Sequence, residues 1–90
     1  MISVEEACRL VMEKRKGYSY IGGITDTGDL FTMGLLNDEG QAGTGNGVVI
    51  DKSTKEISAF VWTKEMLLKE KNGKPVEIPE KYRYPGEIKY

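Results

Sequence analysis

Cys8 is the residue type here best suited to nucleophilic chemistry, and it is the chain's single cysteine. A helix N-terminal half lowers a thiol's pKa. Activation would still need a base, and the sequence contains no histidine. Cys8 also shares helical spacing with Val4 and Val11, so it reads as a packing residue. The glycines Gly40, Gly43, Gly45 and Gly47 raise phosphate binding. That chemistry needs backbone amides converging on a helix start, often with a lysine. These glycines run instead into Val48-Val49-Ile50, a strand pattern, and read as a flexible connection. Asp26 with Asp29, and Asp38 with Glu39, are the carboxylate pairs. Calcium asks for more oxygen ligands in ordered spacing, so turn chemistry is the reading for both.

The elements that must position these groups follow from periodicity. Residues 2–17 carry helix signals. Ser3 can cap the first amides, with Glu6 three residues on. Val4, Ala7, Cys8 and Val11 form one apolar face, which Leu10 and Met12 widen. Lys14, Arg15 and Lys16 crowd the last turn, and Gly17 offers a left-handed cap. The period then changes. Residues 18–25 and 30–36 read as strands, with Phe31, Met33 and Leu35 on alternate positions. "TDTGDL" is a tight turn, with Asp26 bonding its own backbone and Gly28 taking a positive φ. Residues 37–47 form a glycine-dense loop. Gly47 to Trp62 then reads as a hairpin folded around "DKSTKE". "KEMLLKEK" after Thr63 suits a short helix. Asn72-Gly73 would end it, or would instead turn a hairpin into "KPVEIP".

These pieces predict an α+β fold: one N-terminal helix packed on an antiparallel sheet of about four strands in a cystatin-like meander, with a short second helix in prospect. Residues 1–90 read as a single domain, with 75–90 an extended tail broken by three prolines and carrying Tyr82, Tyr84 and Tyr90.

Composition narrows the function classes. The chain is 39% apolar and 30% charged, which fits a small globular protein. No run approaches the ~18–20 apolar residues that span a bilayer. The N-terminus does not follow a secretory pattern, and the expected location is the cytoplasm. Without histidine the chain lacks the usual general base and the commonest zinc ligand. No cofactor or metal is expected. Net charge is −1, so neither nucleic acid nor a membrane surface is an expected partner. "EKYRYPGEIKY" interleaves bases and aromatics as single-strand binders do, but its acids blunt the field. The charge is uneven: residues 18–63 hold six acids against two bases. An acidic middle suits either a solvated surface or a basic protein partner.

Phe60 reads as core, and Trp62 can join it. Trp62 at a strand end and the tail tyrosines Tyr82 and Tyr84 are also the best contact residues. Asp38 and Glu39 join them as candidates, on the loop.

The order of pieces resembles the immunity protein 35 family of bacterial polymorphic-toxin systems, over roughly Ser3 to Trp62. The likeness lies in "SVEEACRLVMEKRKG", "DTGDLFTMGLL" and "GVVIDKSTKEISAF". Val49, Ile50, Asp51, Lys52, Thr54 and Glu56 fit that family's closing hairpin. Lys55 stands where the family usually has glycine. Left-handed backbone costs a lysine ~1 kcal/mol, so a different turn type is expected there. The resemblance implies a cytoplasmic, non-enzymatic protein that binds and neutralises a toxin by occlusion. It carries no catalytic residues. Competing expectations are a small structural or homodimeric protein and a peptidase-inhibitor-like domain.

Overall fold

A computed structural model describes residues 2–43 and 45–86. Helix α1 spans Val4–Lys14. Ser3 caps it, its Oγ accepting the Glu6 N–H at 3.2 Å. Glu6's carboxylate meets Lys55 Nζ at 3.4 Å, across to the hairpin. Gly17 takes φ +99°, as expected after the last turn.

Four strands follow as a meander: β1 (Tyr20–Asp26), β2 (Leu30–Leu36), β3 (Gly47–Asp51) and β4 (Ile57–Ala59). The β1–β2 turn is built as its residues require. Gly28 sits at φ +103° and donates its N–H to Asp26 Oδ1 at 2.8 Å. Helix α2 (Lys64–Asn72) comes next, its first turn capped by Thr63 Oγ1. Gly73 then turns the chain into β5 (Lys74–Pro75) with an extended φ of −74°, not a left-handed one. The helix reading of this region therefore holds and the hairpin reading does not: β5 pairs with β1 across the sheet, not with the segment before Asn72-Gly73. The sheet has five strands in the order β4-β3-β2-β1-β5, every neighbouring pair antiparallel. β5 is the strand beyond the expected four.

The β3–β4 turn corrects one expectation. Lys55 does occupy the left-handed region, at φ 65°. The surroundings hold it there. Its N–H donates to Asp51 O at 2.9 Å. Asp51 Oδ1 accepts the Ser53 and Thr54 N–H groups, which lowers its pKa. A lysine thus keeps the glycine-type turn and bears the strain.

The core lies between α1 and one sheet face. Ala7, Cys8 and Val11 are fully buried, against Ile21, Ile24, Phe31, Met33, Leu35, Val48 and Ile50. At the core's edge Lys52 is only 9% exposed. Its Nζ lies 2.6 Å from Asp26 Oδ1 and 4.6 Å above the Phe31 ring.

The C-terminal residues are laid back onto the sheet. Val76 N–H donates to Ile24 O at 2.9 Å, and Arg83 bridges to Ile21 in parallel. A 3-10 turn covers Glu80–Tyr82. Val76, Ile78 and Tyr82 pack partly against the core. Among the described residues no helix is long and apolar enough to cross a membrane.

Candidate functional site

The sheet's second face, opposite α1, carries an open groove. Register builds its floor. Gly23 pairs with Gly34, and Gly34 pairs with Gly47, so three glycines lie side by side across β1, β2 and β3. Strand alternation puts this row on the face that α1 does not cover. A bulge between Ile21 and Gly23 makes the alignment possible, because it lets Ile21 and Ile24 both face the core. A Cβ on Gly23 would meet nothing within 4 Å, and one on Gly34 only Asn46 Nδ2 at 3.7 Å.

Two walls rise from that floor. One is the end of α2. Glu70 spans from the helix to the sheet, Oε1 accepting from Thr25 Oγ1 at 2.9 Å and Oε2 from Thr32 Oγ1. Gly73 then approaches Thr25 so closely that a Cβ would come 2.5 Å from its methyl. The helix is tethered rather than packed: no residue of α2 is buried. The other wall is aromatic. Phe60 leaves β4 over Gly47, and Trp62 stands edge-on to it, centroids 5.2 Å apart at 73°. The groove between them has a volume of about 450 Å³, with Leu67 and Pro75 completing its lining.

Its rim is apolar and open. Trp62 is 81% and Leu67 43% exposed on it, and their chain neighbours Val61 and Leu68, outside the groove lining, are each 50% exposed. Exposed large apolar groups gathered in one short segment mark an interaction surface more than a lone one does. A second concavity, of about 530 Å³, lies where Ser3, Glu5, Glu6 and Arg9 face residues 79–82. Its lining is strongly charged and of both signs, with Glu6 paired to Lys55 and Arg9 to Glu13.

The five candidate contact residues fall in separate places. Trp62 lies on the groove, in solvent and outside the core that periodicity also allowed it. A tryptophan just past a three-residue edge strand has no facing layer to bury it. Asp38 and Glu39 are exposed in the turn after β2, where Asp38 accepts from Ser19 Oγ. Tyr84 joins that corner. It stands edge-on to Tyr20 at 5.1 Å, and its ring fills the space a Cβ on Gly40 would need. Tyr82 is packed against the core near α1. Both tyrosines therefore serve the chain's own packing. Tyr90 lies outside the described residues.

The nucleophile reading of Cys8 fails on burial. The thiol is 0% exposed, and its pKa is pushed up to about 11, by desolvation first and the nearby Glu5 charge second. Asp26 is held low by the Lys52 ammonium and the Gly28 N–H. Among the described residues no group of three His, Cys, Asp or Glu converges as a metal site.

Sequence reasoning missed Glu70, Leu67 and the glycine row. Glycine inside a strand was the available signal, since it often marks a bulge or the close approach of another group. Compared with known protein families, curated proteins and solved structures, the chain finds no match.

Proposed function

We propose that the protein is a non-enzymatic binding module that engages a protein partner through the Trp62 face. The observation that carries this is Trp62 itself. The chain leaves its one tryptophan 81% exposed, braced by Phe60 and flanked by further open apolar side chains. Holding a large aromatic in water forgoes roughly 1.5–3 kcal/mol of burial. A partner that covers it recovers that energy, and tryptophan is the residue type most enriched at binding hot spots.

Within that reading the immunity-like role is the favoured one: cytoplasmic capture of a toxin, and inhibition by covering its working surface. Support comes from the helix-and-meander order and from the left-handed conformation of Lys55 at the turn position where the resembled family carries glycine. The test is affinity capture from the native host with the wild-type chain and with Trp62→Ala. A partner retained by the first and lost by the second supports the proposal. Co-expression with a toxin-like neighbour should then rescue growth in the wild type and fail in the variant. Equal recovery by both proteins overturns the assignment of this face.

A further inference from the structure

The groove holds one charged group, and that group selects its occupant. We infer that the groove receives an arginine or lysine side chain from an extended segment of the protein partner, with Glu70 as counter-charge and the Phe60–Trp62 wall as packing surface. This rests on the binding role just proposed and specifies its chemistry.

Glu70 lines an otherwise mostly apolar groove. It forms no ion pair with any Lys or Arg among the described residues. Thr25 and Thr32 each donate one hydroxyl to it, one per oxygen. These bonds fix the carboxylate's position. They leave acceptor capacity on both oxygens, since an ionised carboxylate offers about four acceptor sites. A positioned, half-buried anion with free lone pairs is suited to a guanidinium fork or an ammonium. The tryptophan on the opposite wall of the same groove adds a cation–π surface, favoured by arginine. The floor permits close approach, because no side chain rises from Gly23 or Gly34. An acidic or phosphorylated segment would meet Glu70 as a like charge.

The test uses the full chain and three blocked pentapeptides: glycine-leucine-X-leucine-glycine, with arginine, norleucine or glutamate at X. Trp62 emission reports binding, and amide shifts at Gly23, Gly34 and Glu70 locate it. The arginine peptide should bind saturably and about tenfold more tightly than either counterpart. Glu70→Gln, with helix content checked by circular dichroism, should erase that preference. Trp62→Ala, which leaves the α2 tether untouched, should weaken the arginine peptide severalfold when read by the amide shifts. Indifference to X, or a preference that survives Glu70→Gln, overturns the inference. So does an emission change that grows with protein concentration alone, which would assign the groove to a second copy. If the peptides fail while Trp62→Ala still loses the native partner, the cation inference falls and the binding role stands. If Trp62→Ala keeps the native partner, the binding role itself falls.

Discussion

The Trp62 ring meets Phe60 edge-on, centroids 5.2 Å apart and planes at 73°, yet only Phe60 gains shelter from the contact. One aromatic anchors and the other is presented. Because Trp62 is the chain's single tryptophan, its emission reports this surface alone. The free protein should emit as tryptophan does in water and be quenched readily by acrylamide. Trp62→Ala should change unfolding free energy by less than about 0.5 kcal/mol, as expected away from packed sites. A blue-shifted, protected emission in the free monomer would contradict the exposure described.

Glu70 is the main tether of α2 to the sheet. Glu70→Ala removes an acceptor from two threonine hydroxyls, at a cost of about 1–3 kcal/mol. Since α2 buries no residue, the loss should be local. Hydrogen exchange should quicken across Lys64–Asn72 while α1 and β1–β3 keep their protection. Uniform loss of protection would show that α2 is part of the cooperative core.

Among the described residues Lys52 and Asp26 form the least exposed ion pair, 2.6 Å apart with Lys52 nearly buried. Asp26→Asn strands the ammonium and should destabilise by about 1–3 kcal/mol. The pH dependence follows from the direction of the shift. Asp26 has its folded pKa lowered, by the Lys52 hydrogen bond first and then the Gly28 N–H. Its contribution is therefore complete above the unfolded value of about 3.9 and is lost as pH falls through the folded one. Denaturant titrations should show acid sensitivity in the wild type that Asp26→Asn reduces.

Much of this architecture is legible in the residues, for local reasons. Ser3 and the Val4–Ala7–Cys8–Val11 face specify α1, because cap and stripe lie within a few turns of one another. Phe31, Met33 and Leu35 specify β2 through alternation alone. What is not legible depends on register. Nothing local says that Gly23, Gly34 and Gly47 share a row, since that depends on the bulge after Ile21. β5 is hidden for a different reason: it is two residues long and contains Pro75. Glu70 looks like any solvated helix glutamate until β1 and β2 bring Thr25 and Thr32 beneath it. Tyr82 and Tyr84 look free in sequence because their partners, the core and Tyr20, lie far away along the chain.

Lys55 provides a test of strain. Its φ of 65° is glycine territory, and its one ion pair among the described residues, with Glu6, is between partly exposed groups. Such pairs contribute little. Lys55→Gly should therefore stabilise the protein by up to about 1 kcal/mol, net of glycine's greater unfolded freedom. A destabilised variant in thermal unfolding would mean that the Lys55–Glu6 bridge outweighs the backbone cost.

The groove floor can be filled without touching the core. A side chain at Gly34 points into open space, with Asn46 Nδ2 its one near neighbour at 3.7 Å. Gly34→Val also suits a strand, so stability should move by no more than about 1 kcal/mol. Affinity for the captured partner should fall at least tenfold, about 1.4 kcal/mol. Unchanged affinity would place the contact on the rim alone.

The most direct measurement is the dissociation constant of the purified partner for the wild-type chain and for Trp62→Ala, with thermal unfolding of both recorded alongside. A hot spot predicts a loss of at least about 2 kcal/mol in binding, roughly thirtyfold, at an unaltered melting temperature. Equal affinity in two equally folded proteins would contradict the account.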